Sequence, residues 1–271
     1  MKKIFSLHTL PFWRRLIQVL TALAFILIPI LNLCGVDLLH GNFLAFRAWS
    51  VPLGDPLAAL QVVLGGFSAT QTMLTGAGLT LLLALFMGPV FCSWLCPFGL
   101  FSELIPKRRG KERPGLFPLK AAIVLAGLMV IIFFYPGPIL NQLSLPGWYS
   151  RAMQHAALYG EALWPAALLP AALALDALSG GRVWCGYICP QSVLLALAGL
   201  ILPPRLQVRF HRAACTCPAR SRPCLKACSL YLNPRAPGLE QKLRCTNCGD
   251  CVSACARHGR ALRLDFGKKI R

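Results

Sequence analysis

The sequence predicts a membrane α fold: four transmembrane helices built as a duplicated two-helix unit over residues 1–203, followed by a small α+β domain over residues 204–271. Three observations predict it. The 271-residue chain is 56% hydrophobic and only 14% charged, with a mean hydropathy of +0.59, a balance suited to lipid rather than water. Four apolar stretches, carrying no charge apart from Asp176, punctuate the first two thirds. Twelve of the thirteen cysteines fall in short groups, a pattern of metal binding in a reducing compartment rather than of a small disulfide scaffold.

Lys2, Lys3, Arg14 and Arg15 precede the first span, Leu16–Leu33. Its length exceeds that of a signal-peptide core and no clear A-x-A site follows, so a retained helix is expected. Residues 36–72 form a loop with one basic residue, Arg47. Within it Asp55-Pro56 reads as an N-cap followed by proline at the first helical position, starting a short surface helix that reaches about Leu64. Met73–Phe91 is the second span, Ala121–Tyr135 the third, closed by Pro136-Gly137-Pro138, and Ala162–Leu178 the fourth, with Pro165 and Pro170 inside it. Residues 191–203 are apolar but too short to cross, and predict an interfacial or re-entrant helix stopped by Pro203-Pro204.

Charge gives the expected orientation. The N-terminal segment has four Lys/Arg, the 92–120 loop six (Lys107, Arg108, Arg109, Lys111, Arg113, Lys120) and the segment after Gly181 sixteen, whereas the loops 36–72 and 136–161 have one each, Arg47 and Arg151. By the positive-inside rule this predicts a multi-pass protein of the bacterial inner membrane with both termini cytosolic. The net charge of +19 then faces anionic lipid headgroups, and no nucleic-acid partner is expected.

Cys245, Cys248, Cys251 and Cys255 are spaced C-x2-C-x2-C-x3-C, the run by which bacterial ferredoxins hold [4Fe-4S] clusters, the fourth cysteine ligating a second cube. Ala256 stands where that run usually has proline. Structural zinc is the competing use, but zinc sites separate their cysteine pairs by longer inserts. The partner group is Cys215, Cys217, Cys224 and Cys228. With the usual exchange, Cys228 joins Cys245, Cys248 and Cys251 at one cubane, and Cys255 joins Cys215, Cys217 and Cys224 at another; C-x-C-x6 replaces C-x2-C-x2 in the earlier run, and the alternative is that this second cluster is altered or lost. The 204–271 segment is therefore expected to be a cytosolic ferredoxin-like iron–sulfur domain.

The second and fourth spans run into equivalent motifs, V-F-C-S-W-L-C-P and V-W-C-G-Y-I-C-P, containing Cys92 and Cys96, and Cys185 and Cys189. This internal repeat puts both pairs at the same membrane face. C-x3-C spacing sets two thiols at i and i+4 on one helix face, and Pro97 and Pro190 stop or kink that helix. Four such thiols suit an additional iron or iron–sulfur centre or a dithiol relay; the alternative is inert buried cysteine. Asp176, late in the fourth span, is a candidate proton relay to a quinone or a carboxylate reaching the interface with Arg182 as partner. His40 is a candidate quinone ligand or a solvated loop histidine. Cys34 stands alone.

Leu39-His40-Gly41-Asn42, Asp55-Pro56, Phe91-Cys92-Ser93-Trp94-Leu95-Cys96-Pro97, Asp176, Trp184-Cys185-Gly186, Ile188-Cys189-Pro190 and the Cys245–Cys255 run together resemble the ferredoxin-type membrane proteins of the NapH/MauN group, related to the membrane parts of NosR-like polyferredoxins. That resemblance implies a quinol dehydrogenase component rather than a stand-alone enzyme. It would take electrons from membrane quinol through two [4Fe-4S] clusters towards a periplasmic respiratory oxidoreductase, with a periplasmic ferredoxin or cytochrome-type protein as redox partner. The alternative function is an accessory protein that keeps a metal or flavin centre of a respiratory enzyme reduced during maturation.

Overall fold

The computed structural model describes residues 10–35, 39–41, 45–48, 51–105, 115–134, 137, 139–161, 164–201, 205–217, 222–236, 238–256 and 258–267. The basic residues Lys2, Lys3 and 107–113, together with Asn42, Pro136, Pro138, Pro203 and Pro204, lie outside them.

The chain opens with helix α1 (Leu10–Leu33), six residues longer at its start than expected. Its buried residues Leu10, Arg14, Gln18, Ala22, Phe25 and Ile28 fall every three or four positions, one stripe against the rest of the protein, while Phe12, Leu20, Leu23, Leu27, Ile30 and Leu33 face outward. Three short antiparallel strands follow, β1 (Leu39–Gly41), β2 (Ala45–Ala48) and β3 (Val51–Gly54), pairing in the order β1-β2-β3. Helix α2 (Pro56–Leu64) begins as expected, the Asp55 carboxylate accepting from the Leu57 amide at 2.8 Å with proline in the first turn.

Helix α3 (Gln71–Met87) packs on β3 and ends where Gly88 takes a φ of +70°. Gly54 and Gly76 let strand and helix backbones meet, since a Cβ on Gly76 would lie 2.9 Å from the Gly54 nitrogen. Next come α4 (Phe91–Trp94), α5 (Pro97–Leu104), α6 (Phe117–Phe133), α7 (Leu145–Tyr159) and α8 (Leu168–Ser179). A π-type turn over Trp184–Ile188 leads to α9 (Gln191–Ile201). The final third holds β4 (Arg205–Phe210), α10 (Pro223–Ala227), α11 (Leu239–Arg244), α12 (Asp250–Ala256) and β5 (Leu262–Gly267), with β4 and β5 antiparallel. Alternation along both strands turns Val208, Phe210 and Leu264 onto a small core of Cys224, Cys251, Val252, Cys255, Ala261 and Leu262.

This architecture corrects the expected four-span fold. Among the described residues only α1 is long and apolar enough to cross a bilayer. Helices α3 and α6 have 17 residues each, α8 has 12 and α9 has 11, short of the ~20 a crossing requires. Gly88 ends α3, and a 3-10 turn over Trp164–Ala167 occupies the part of the expected fourth span that contains Pro165. The assigned orientation counted charges between four crossings, so the multi-pass inner-membrane topology with two cytosolic termini falls with them. The remaining elements form a mostly helical bundle. Two further expectations change. The 136–161 segment contains α7, whose Arg151, Gln154 and His155 hid its helical character behind a polar sequence. Residues 191–201 form no interfacial helix but a core element: Val193, Leu195, Ala196 and Ala198 are buried, and α9 packs on α3, α6 and α11.

Asp55 also yields a pH prediction. Burial raises its carboxyl to about 6, against hydrogen bonds from Leu57, Gln191 and Ala58 that lower it. The folded state then holds a proton that the unfolded chain has released between about pH 4 and 6, so stability falls as the pH rises through that window, by roughly 3 kcal/mol at most. Asp55→Asn keeps the cap and should flatten this slope in unfolding curves taken from pH 4 to 7. A slope equal to wild type would reject the assignment.

Candidate functional site

The two C-x3-C motifs do not lie on continuous helices. Cys92 sits in α4 and Cys96 is the extended N-cap of α5, with Pro97 in the first turn; Cys185 sits in the π-type turn and Cys189 is extended. Both turns close the same way, the Cys96 amide donating to the Phe91 carbonyl at 3.0 Å and the Cys189 amide to the Trp184 carbonyl at 2.9 Å. This five-residue wrap is wider than an α turn. It replaces the expected single helix face and aims all four thiols at one small cavity lined also by Phe91, Phe98, Leu145 and Trp184. Burial is the main reason all four thiols are shifted up, Cys96 to about 11.

Polar side chains set these turns in place. Asp176 is buried and accepts from the Val183 and Trp184 amides at 2.9 and 3.0 Å and from the Ser102 hydroxyl at 2.8 Å. Its carboxylate thus tethers the chain just before Cys185. It is buried rather than reaching outward, and the charge of Arg182, which bonds Glu103 and the Gly99 carbonyl, acts on it. Burial raises the Asp176 carboxyl, and the three donors lower it. His40 lies on β1 opposite Arg47; its side chain is outside the described residues. Cys34 is exposed at the end of α1.

In the last third, Asn247 (φ +51°) and Gly249 (φ +81°) take left-handed conformations that curl the loop between Cys245 and Cys251. The Asn247 amide nitrogen fixes this loop by donating to the Leu206 carbonyl at 2.8 Å and the Met87 carbonyl at 3.1 Å. Cys228, Cys245, Cys248 and Cys251 are brought within electrostatic reach of one another, each charge opposing ionisation of its neighbours. Burial is the larger cause of their rise, to about 11 for Cys245 and about 12 for Cys248. Cys255, one helical turn after Cys251, shares one small core with Cys251, Cys224 and Cys215 and lies near Cys217. Two sulfurs accept backbone hydrogen bonds, Cys228 from Leu232 and Cys255 from Leu262, both at 3.4 Å.

Among the described residues no three His, Cys, Asp or Glu side chains converge tightly enough to hold a single metal ion. A cubane asks for something different, because each thiolate binds a separate iron and the four stand apart around the cube. All-sulfur groups of four, each with one amide pointing at a sulfur, suit that requirement; Cys224, Cys251 and Cys255 are buried and the other five half-buried.

The same loop docks on both C-x3-C turns. The Ser93 hydroxyl, next to Cys92, donates to the carbonyl of Thr246, next to Cys245, at 2.6 Å, and the Trp94 indole donates to the Asn247 carbonyl at 3.3 Å. Arg244 stacks 4.9 Å from the Tyr187 ring centroid and donates to its hydroxyl at 3.1 Å. Ser93 is fully buried. Ser93→Ala leaves the Thr246 carbonyl without this donor and should cost about 1–3 kcal/mol. Hydrogen exchange across residues 245–249 should speed up; unchanged exchange there would mean the loop is held without Ser93.

Sequence reasoning passed over Ser93, Glu103, Lys120 and Asn247. Lys120 did carry a signal, as a lone charge at the edge of an apolar run.

The model of one family, described as a 4Fe-4S binding domain, matches twice, over residues 69–114 and 162–209. Each match contains one C-x3-C turn, which establishes the duplication, and both stop before Cys215. The ferredoxin-type protein NapH of Escherichia coli is 31% identical over 247 residues, covering 82% of this chain and 79% of the relative. The chain belongs to the NapH/MauN-like ferredoxin-type proteins. Another relative in this family, the methylamine utilization ferredoxin-type protein MauN of Methylobacillus flagellatus, is 28% identical over 283 residues, 95% of this chain and 91% of its own length. The regulatory protein NosR of Pseudomonas aeruginosa is 28% identical over 222 residues, 78% of this chain but 28% of NosR. No solved structure matches the chain significantly.

Proposed function

We propose that this NapH/MauN-like chain is an iron–sulfur electron carrier that passes electrons from quinol towards a periplasmic respiratory oxidoreductase, through a periplasmic ferredoxin or cytochrome-type partner. The observation that carries the reading is the pair of cysteine groups in the last third. Cys228, Cys245, Cys248 and Cys251 would hold one [4Fe-4S] cluster, and Cys215, Cys217, Cys224 and Cys255 a second. Two cubanes supply two one-electron centres, matching the two electrons that oxidation of a quinol to a quinone releases. The backbone amides on Cys228 and Cys255 favour the more negative, reduced state by hydrogen-bonding sulfur. The Ser93–Thr246 hydrogen bond joins the backbone beside Cys92 to that beside Cys245, a short path between the repeat units and the last third. The quinol half of the reading is supported by α1, the described helix of bilayer length, whose outward face is apolar.

The test is cluster reduction under anaerobic conditions, followed by low-temperature EPR. Both dithionite and a reduced quinone analogue should raise the S = ½ signals of reduced cubanes. A signal with dithionite alone would remove quinol as the donor and retain the carrier. No signal with either reagent, in protein lacking iron and acid-labile sulfide, would reject the electron-transfer reading.

A further inference from the structure

Lys120 is 4% exposed, on the inner side of α6. Its amine nitrogen donates to the Cys185 carbonyl at 3.0 Å and to the Ser192 hydroxyl at 2.5 Å, both neutral groups. Among the described residues no carboxylate pairs with it. Among the other buried cations, Arg182 and Arg14 share Glu103, while Arg205 donates to the Gly199 and Lys242 carbonyls and Arg244 to the Tyr187 hydroxyl. Lys120 instead borders a second cavity together with Cys92, Cys185 and a further cation, Arg244. The ionisable groups that face it are Cys189, Cys185 and Cys92, with Arg244 as a like charge.

A buried ammonium with only neutral partners costs several kcal/mol, and a second cation beside it adds to that cost. Protonated thiols or disulfides among Cys92, Cys96, Cys185 and Cys189 would leave the charge uncompensated, because both are neutral. Four thiolates on an iron–sulfur core carry net negative charge and compensate it. In an iron–sulfur core each thiolate needs to reach only its own iron. Two equivalent wide turns, one from each repeat unit, place all four cysteines in the lining of one cavity.

We propose that Cys92, Cys96, Cys185 and Cys189 together hold an anionic iron–sulfur centre between the two repeat units, with Lys120 as its counter-cation. The choice of iron–sulfur chemistry rests on the carrier function proposed above. Lys120 is a positioning residue: it touches no iron but sets the electrostatic cost of adding an electron to the centre.

The experiment uses full-length protein purified anaerobically: wild type, Cys96→Ala/Cys189→Ala, Lys120→Met and Lys120→Arg. Iron and sulfide are counted, and each centre's reduction potential is followed by EPR during titration with dithionite. The double cysteine variant should lose the iron that exceeds the share of the eight downstream cysteines, while the EPR signals of their clusters persist. Lys120→Met should retain its iron and lower the potential of the centre between the repeats alone, because a positive charge that stabilised the added electron is gone. Lys120→Arg should restore most of that shift. Wild-type iron in the double cysteine variant would overturn the proposed centre. Unchanged potentials in Lys120→Met, or equal shifts of every centre, would overturn the counter-cation. Failure of the carrier reading is a separate result, a double cysteine variant that contains no iron at all.

Discussion

Replacing Glu103 with glutamine should destabilise the protein by about 3–5 kcal/mol, the cost of breaking a buried ion network from one side. The Glu103 side chain is 4% exposed and receives three guanidinium groups: Arg14 at 2.7 Å and the exposed Arg15 at 3.7 Å on one oxygen, and Arg182 on the other. Arg14 and Arg182 are themselves buried, at 1% and 4% exposure. Glutamine has nearly the same shape, so the loss is electrostatic and leaves no cavity. Arg14 would keep Asp250 at 3.1 Å, but Arg182 would lose its carboxylate. For a chain of this size the thermal midpoint should fall by roughly 6–20 °C. A change below about 1 kcal/mol would show that water reaches the network and screens it.

The second large effect concerns the exchange of cysteines in the last third. If Cys228 completes the site of Cys245, Cys248 and Cys251, then Cys228→Ala should remove about four irons per chain, and adding Cys245→Ala should remove no more. Cys255→Ala should remove a different set of about four, and combining it with Cys228→Ala should remove about eight. Iron and sulfide analysis with EPR of each variant decides the grouping. If Cys255→Ala and Cys245→Ala were non-additive, the run 245–255 would hold one cluster by itself. Cys251, Cys255, Cys224 and Cys215 share one small core, so the iron count and not the packing decides between the two groupings.

The sequence made some of this legible and hid the rest for physical reasons. Cys228 was expected beside the 245–251 loop from the exchange usual in ferredoxin runs, and the structure brings it within electrostatic reach of that loop. The start of α2 was legible because an Asp-Pro pair specifies a helix start chemically. Helix lengths were not. Apolar composition marks neither where a helix ends nor which of its side chains are covered, and α3 and α6 leave many of their large apolar side chains exposed. The backbone torsion at Gly88 and the 3-10 turn at Trp164 decide where α3 ends and α8 begins, and neither is encoded in hydropathy. Helix α7 was masked by its polar residues although Leu145, Tyr149 and Ala152 hold one buried face. Asp176 was recognised as a costly buried charge, but its partners are amides of the turn that follows it, and no periodicity reveals those. Lys120 was grouped with a basic loop because a one-dimensional charge count cannot separate the last solvated cation from the first buried one.

The salt bridge between Arg14 and Asp250 joins residues 236 positions apart. A ribosome adding roughly 5–20 residues per second releases α1 tens of seconds before α12 exists. During that interval Glu103 is the first of Arg14's two partners to be made, and the seat of the N-terminal helix stays open on one side. The last piece to close it is the helix that begins at Asp250 and bears Cys251 and Cys255. Completion of the chain's first helix is therefore tied to correct folding of its cysteine-rich end, so that a molecule with a misfolded end also advertises an unfinished beginning to the cell's proteases.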